Sequence, residues 1–502
     1  MLRKNILANY ISQAYVTVIG ILILPLYIKY MGAEAYGLIG FFTLLQAWFG
    51  LLDLGLSPTI SRESARYQCG SLAPLPFIQL YRSLSIIFAL IAVFGGGILL
   101  ATSEYITAKW LTFETLNKVD VLLAVQIMAI SISLRWMGGL YRGIITGAEL
   151  IVWLSIFNIV VATLRFIGVF ISMYVFGFNA LIFFFHQLAV VILELIFLFF
   201  KSNTTLPNVN SVPNVIGWSF KPVRKILKFA MTIAFTSSIW VLATQTDKLI
   251  LSGILPLADY GYFTLAVLVA SAIMVTSGPI STALMPRMVR LWAAGNTADL
   301  LEVYRKSTQL VSIISGAVTV TFVFAAEPML FAWTGDTIIA SKAAPILQLY
   351  AIGNGFLVLA AFPYYLQYAI GNLKYHLIGN VIILTVLIPS IIFSANAYGG
   401  IGAAWVWVSL NMFMFVVWVG FVHWKLFPGL HFNWLFNDIL AVFIPLFLIS
   451  FILSNIQIAQ LDRLESLLFT ILFGCISLFV AVLSSSAARV FLCKRFKNRY
   501  LC

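Results

Sequence analysis

"EAYGLIGFF" at Glu34–Phe42 returns as "ADYGYFTLA" at Ala258–Ala266, with Tyr-Gly at 36–37 and again at 260–261. The offset is 260 − 36 = 224. Three further pairs keep that spacing. "LYRS" and "VYRK" align Tyr81 with Tyr304 (304 − 81 = 223), and "YRGIITG" and "YLQYAIG" align Tyr141 with Tyr365 (365 − 141 = 224). "YVFGFNA" and "YGGIGA" end at Ala180 and Ala403 (403 − 180 = 223). One such pair carries little; four in order at one spacing predict a chain built from a duplicated unit.

Composition says what the unit is made of. The 502 residues are 62% hydrophobic and 9% charged, against about 25% charged in an ordinary soluble protein. The apolar residues fall in runs of the roughly 20 needed to cross a ~30 Å hydrocarbon layer as a helix. They predict an all-α polytopic membrane protein with about fourteen transmembrane helices. The expected spans lie near 6–28, 36–58, 79–101, 117–140, 150–174, 178–200, 226–251, 258–285, 307–330, 343–366, 375–396, 401–424, 434–454 and 465–485. No cleaved signal is expected, because the first apolar run is too long and lacks a small-residue cleavage pattern.

The repeat offset groups these spans into two six-helix bundles, spans 1–6 and 7–12. An even number of spans per repeat keeps both in one orientation, so the expected pseudo-twofold runs along the membrane normal. Residues 1–200 are then a first lobe, and 201–225 a polar cytoplasmic linker with three prolines. Residues 226–424 are the second lobe, and 425–502 hold two additional helices and a basic cytoplasmic tail.

The net charge of +13 is explained by where the cations sit. With the N-terminus inside, about 22 of the 30 Lys and Arg, Arg142 among them, fall on cytoplasmic segments and about five outside. Both termini are therefore expected in the cytoplasm. The basicity serves orientation and attraction to the membrane lipid surface, and nucleic acid is not an expected partner. Segments between spans reach roughly 25 residues at most, too few for a folded aqueous domain. There is no Walker A loop, H-E-x-x-H or nucleophile elbow, so neither an enzyme nor a cofactor is expected. Cys69, Cys475, Cys493 and Cys502 show no C-x-x-C spacing, and no disulfide or metal site is expected. His186, His376, His423 and His431 are scattered and are expected to form no ligand pair.

Paired bundles suit a secondary transporter with a site near the midplane. Span 1 carries Asn5, Asn9, Gln13 and Thr17, near i, i+4 steps; span 7 carries Thr232, Thr236, Trp240 and Thr244. Both stripes fit a cavity lining, and both also fit helix–helix hydrogen bonding. Charges inside spans are costly and face the interior. Asp53, Arg135 and Glu194 each sit five or six residues from the cytoplasmic side. Asp53 and Glu194 fit a gate or coupling site and Arg135 a substrate contact, with an ion pair used in packing the other reading for all three. Arg165 lies near mid-membrane with no acid at its counted depth, which makes it the leading candidate to meet an anionic substrate. Asp247 and Lys248 are adjacent, ~100° apart on a helix, and are expected not to point at one spot. They read as gate or helix-positioning residues, with direct substrate contact by Lys248 the alternative.

Three stretches carry a family resemblance: "LPLYIKYMGAEAYGLIGFFTLLQ" (24–46), "LLDLGLSPTISRESAR" (51–66) and "DKLILSGILPLADYGYFTLA" (247–266). On these the chain resembles the Wzx-type O-antigen flippases, in the polysaccharide-transporter branch of the multidrug/oligosaccharidyl-lipid/polysaccharide (MOP) exporter superfamily. The resemblance covers spans 1–12 and hardly touches 13–14. It implies a MATE-like, V-shaped two-lobed bundle moving undecaprenyl-diphosphate-linked oligosaccharide across the bacterial inner membrane by alternating access. An H⁺ or Na⁺ gradient is the implied candidate driving force, and other polysaccharide assembly proteins are implied candidate partners. Arg62, Arg66, Arg287 and Arg290, at the inner ends of spans 2 and 8, fit first contacts for the diphosphate; positive-inside anchoring is their other reading. The alternatives are a cation/drug antiporter, which should line its cavity with acids, a scramblase that needs no coupling ion, and a membrane glycan polymerase or ligase, which needs a large outer loop.

Overall fold

The computed structural model describes residues 2–207, 219, 221–455, 461–486, 488 and 489. Cys493, Cys502, the basic tail from Lys494 to Arg499 and residues 208–218 and 220 of the linker lie outside the described residues. Among the described residues all regular elements are helical, apart from an isolated bridge between Thr112 and Pro256. Contacts divide the chain into two compact units, Met1–Gly261 and Tyr262–Cys502.

The first unit opens with α1 (Leu2–Leu22), α2 (Leu24–Met31), α3 (Ala33–Phe49), α4 (Leu56–Gln68) and α5 (Pro74–Ala101). It continues through α6 (Ser103–Tyr105), α7 (Lys118–Gly147), α8 (Ile151–Thr163), α9 (Val169–Phe176), α10 (Ala180–Asn203) and α11 (Lys221–Ser252). The division falls within α12 (Leu257–Ala293). Beyond it come α13 (Thr297–Phe324), α14 (Ala326–Thr334), α15 (Thr337–Ala360), α16 (Phe362–Ile370) and α17 (Lys374–Phe413). The chain ends with α18 (Val419–Leu426), α19 (Leu430–Asn433), α20 (Ala441–Ser454) and α21 (Arg463–Ser484).

Twelve segments among the described residues are long and apolar enough to cross a membrane. One of them, Lys374–Leu426, holds two expected spans in its 53 residues and is interrupted at Gly399, whose φ of 59° lies in the left-handed region. α11, which covers the expected span 226–251, is 32 residues long and stands outside those twelve. It packs against α3, α4 and α5 in the first unit, so the contact division falls after it. The lobes 1–200 and 226–424 rest on the sequence repeat.

The second expected span is broken. α3 ends at Phe49, a short 3₁₀ turn covers Gly50–Asp53, and the chain passes through Leu54 (φ 47°) and Gly55 (φ 70°) into α4. Glycine takes a positive φ without a Cβ clash, whereas Leu54 holds it at a cost. The Asp53 carboxylate secures the break, receiving the Ser57 N–H at 3.2 Å and the Ser57 hydroxyl at 2.5 Å. α4 then lies close against α7. A Cβ on Gly147 would sit 2.2 Å from the Ser61 carbonyl oxygen, and one on Gly143 2.6 Å from the Ile60 side chain. That approach holds Arg62 and Arg66 on a fixed helix.

In the second unit the two additional helices are fastened to α13 and α14. Buried Trp434 donates its indole N–H to the Thr308 hydroxyl (3.0 Å), beside a core of Tyr304, Phe362, Leu366 and Phe415. Asp438 accepts from Arg305 at 2.6 and 3.1 Å and from Gln309 at 2.7 Å. The hydroxyls of Ser485 and Ser486 donate to the Gln309 oxygen at 2.9 and 3.2 Å. At the other end of α21, Arg463 donates to the carbonyls of Ala332 (3.0 Å) and Trp333 (3.1 Å), the last residues of α14.

Candidate functional site

Between α8 and α9 the helix widens into a π-helical turn, Leu164–Gly168. Such a turn disturbs the regular ladder and leaves carbonyls for other donors. Three side chains take them. His186 meets the Leu164 carbonyl at 2.9 Å, Gln187 donates to that of Arg165 at 3.0 Å, and the Tyr27 hydroxyl donates to that of Phe166 at 3.0 Å. The other His186 nitrogen meets the Ser172 hydroxyl at 2.8 Å. α2 and α10 thus clamp the turn that presents Arg165.

Arg165 reaches Glu194 on α10, with Nη2 to Oε2 at 2.6 Å. The second carboxylate oxygen of Glu194 takes Arg142 Nη2 at 2.5 Å, and Arg142 Nη1 donates to Asn158 at 2.7 Å. Arg135 lies within electrostatic reach of Glu194, Arg142 and Arg165. It donates to the Gln46 side-chain oxygen and stacks its guanidinium 5.6 Å over the Phe42 ring. Among the described residues, Arg135 Nε and Nη2 and Arg165 Nε are buried without a hydrogen-bond partner. Two guanidinium groups therefore share one carboxylate with a third beside them, in a site short of acceptors. The carboxylate side chain is 7% exposed, while Arg142 and Arg165 stay 31% and 21% exposed, so the cationic side of the cluster is the accessible one.

This corrects three expectations. Arg165 is not unpaired: counting residues from span ends placed no acid at its depth, yet α10 continues to Asn203 and the π-turn redirects the guanidinium. Asp53 is bound to Ser57, and among the described contacts it makes no ion pair with Arg135. Arg142, read as an orientation cation, belongs to the cluster. Its signal was present in the sequence: it follows Arg135 by seven residues (142 − 135), two turns along one face of α7.

Asp247 and Lys248 also depart from expectation, because they do pair. Lys248 Nζ stands 3.3 Å from Asp247 Oδ1 and 2.6 Å from the Thr244 carbonyl. The flexible lysine stem folds back along the helix and cancels the ~100° between the two Cβ directions. Asn9, Gln13 and Thr17 are exposed on α1 and Trp240 is exposed on α11, whereas Thr244 is half-buried and bonded to the Trp240 carbonyl. The side chain of Thr236 lies outside the described set. Arg62 and Arg66 are exposed on α4, with Arg66 bonded to Glu63 at 3.0 Å; Arg287 and Arg290 are exposed on α12. Two of the histidines meet after all, His423 Nδ1 lying 3.2 Å from His431 Nδ1, because the turn after α18 folds α19 back onto it. Among the described residues no group of three or more His, Cys, Asp or Glu is placed to hold a metal ion.

The sequence model of the polysaccharide biosynthesis protein family matches residues 2–292, more than half of the chain. A Shigella flexneri protein whose name assigns it O-antigen transport is 24% identical over 416 residues, covering 80% of this chain and 93% of its own. The solved structure of the lipid II flippase MurJ in an inward closed conformation is similar over 94% of this chain and 98% of its own, with a TM-score of 0.71 and 16% identity. An inward-facing multidrug resistance MATE family transporter of the MOP superfamily is similar over 81% of this chain and 94% of its own, with a TM-score of 0.65 and 12% identity. The last two likenesses show the fold: a multi-pass helical bundle of the MOP transporter type.

Proposed function

The chain belongs to the polysaccharide biosynthesis protein family, and on that premise we propose that it is a flippase for undecaprenyl-diphosphate-linked oligosaccharide. The cargo is an O-antigen or another surface polysaccharide repeat unit. It crosses the bacterial inner membrane by alternating access, with both termini in the cytoplasm and no covalent chemistry.

The observation that carries this reading is the excess of guanidinium over carboxylate in the first unit. Arg142 and Arg165 pair with Glu194, Arg135 bonds to Gln46, and among the described residues three buried N–H groups of the cluster have no acceptor. Charges within spans are costly and face the interior, so guanidinium groups left short of acceptors there call for an anion. A diphosphate matches the need. Its oxygens accept the paired N–H groups of guanidinium in bidentate geometry, and its charge balances what Glu194 leaves over. Glu194 then acts as a placeholder, holding Arg142 and Arg165 while the site is free of lipid. Arg62, Arg66, Arg287 and Arg290 serve as first contacts at the inner surface, and Asn9, Gln13, Thr17, Trp240 and Thr244 line the route, with Thr236 assigned to it by its place in the sequence stripe alone. Asp53, Asp247 and Glu194 are the acids available to couple H⁺ or Na⁺.

The test is leaflet transfer of undecaprenyl-diphosphate-linked oligosaccharide in inverted vesicles, comparing wild type with Arg165→Ala at matched expression. Transfer by wild type and its loss in the variant, with the variant still folded, supports the proposal. Extrusion of cationic dyes without lipid transfer would instead make the chain a cation/drug antiporter.

A further inference from the structure

Segments 29–36, 101–117 and 251–258 share the outer side in the charge-based topology, and the structure brings parts of all three together. At the start of α3, Glu34 accepts the backbone N–H groups of Glu114 (2.8 Å), Thr115 (2.9 Å) and Leu116 (3.0 Å), and the Thr115 hydroxyl (2.5 Å). One carboxylate gathers four donors from the loop between α6 and α7. The same loop is held from its other side. The Leu257 N–H donates to the Thr112 carbonyl at 2.8 Å, and the Trp110 indole donates to the Ser252 hydroxyl at 3.0 Å.

Beside this loop α3 and the start of α12 meet backbone to backbone. A Cβ on Gly37 would lie 2.0 Å from the Leu257 carbonyl oxygen, and one on Gly261 2.9 Å from that of Ala33. The contacts are reciprocal in the repeat: 257 − 33 = 224 and 261 − 37 = 224. Each glycine rests on the residue four positions before the other (261 − 257 = 4 and 37 − 33 = 4), and a larger residue than glycine at 37 would push the helices apart.

We propose that residues 110–117 form a strap that seals the outer mouth by tying α3 to the start of α12 across this glycine crossing. What passes the seal rests on the flippase reading. The two attachments differ in strength. Hydrogen bonds to a carboxylate are about twice as strong as neutral ones, and Glu34 makes four while the Ser252–Leu257 side makes two. On outward opening the strap therefore parts from Ser252 and Leu257 and travels with α3.

The test uses the full chain with Cys69, Cys475, Cys493 and Cys502 replaced by Ser and a reporter thiol from Thr244→Cys. The reporter sits eight residues, about 12 Å, inward of Ser252. A membrane-impermeant maleimide is added outside intact cells. Trp110→Phe, which deletes the indole N–H and part of the ring packed beside Gly253, should speed labelling at least about fivefold, the weight of one net hydrogen bond, and Glu34→Ala should do more. Oxidative cross-linking of Thr112→Cys with Leu257→Cys should block both labelling and lipid transfer until the link is reduced. A cross-linked protein that labels and transports at the unlinked rate would overturn the strap. If wild type moves no lipid-linked glycan while the strap variants still accelerate labelling, the flippase reading fails and the strap stands.

Discussion

Each unit buries a cluster of arginine and acid, and the two clusters are built to opposite rules. In the second unit Asp438 is fully buried and matched: Arg305 and Gln309 supply its donors, and Ser485 and Ser486 complete Gln309. In the first unit Arg142 and Arg165 share Glu194 with Arg135 beside them, and among the described residues buried N–H groups remain without acceptors. A balanced, fully bonded network holds helices together. An unbalanced one is under-satisfied in the absence of something else, which is the condition of a binding site. The repeat sharpens the contrast. At an offset of 224, Arg135, Arg142, Arg165 and Glu194 correspond to Leu359, Leu366, Pro389 and Trp418, so these charges do not recur at the spacing of the sequence motifs.

The largest expected effect separates the clusters by function. Arg165→Ala should cut leaflet transfer about a hundredfold or more, the weight of a lost charge-assisted contact, while Arg142 keeps Glu194 paired and the fold intact. Transfer near the wild-type rate in a folded variant would place the anion elsewhere. Asp438→Ala should do the reverse. Stranding Arg305 and Gln309 should cost about 3–5 kcal/mol of stability, seen as a lower Tm in detergent, with the remaining folded protein transporting normally. A normal Tm with lost transport would move the second cluster into the machinery.

A smaller change tests the placeholder. Glu194→Gln keeps the shape, removes the competing charge, and should tighten binding of inorganic diphosphate by about tenfold while slowing turnover, as an extra unopposed guanidinium contact predicts. Weaker binding would mean that Glu194 organises the arginines and does not compete for them. The smallest expected effect is that of Tyr27→Phe. It removes the donor to the Phe166 carbonyl in the π-turn and should lower transfer a fewfold, about one hydrogen bond, with little change in Tm.

Much of the frame was legible in the chain, and much of the site was not. Arg135, Arg165 and Glu194 stood out as charges in apolar runs, because such residues are costly in lipid. Their partners did not. Nothing in "LRFIG" (164–168) announces a π-turn, since its cause lies in Tyr27, His186 and Gln187 on other helices. Asp53 was expected with Arg135 and Glu194 because all three share a counted depth; the left-handed Leu54 and Gly55 turn the chain there and leave Asp53 to Ser57.

By itself the sequence determined that this is an all-helical membrane protein, with short motifs recurring at an offset of 223–224 residues and with Arg135, Arg165 and Glu194 set inside apolar runs. Run length, spacing and charge are properties along one dimension, and the bilayer penalises them directly. Only the tertiary structure decided which charges meet. Pairing depends on helix breaks, π-turns and the reach of long side chains, none of which has a period in the sequence. The same holds at the Gly37–Leu257 crossing, where two residues 220 positions apart (257 − 37) come within backbone contact.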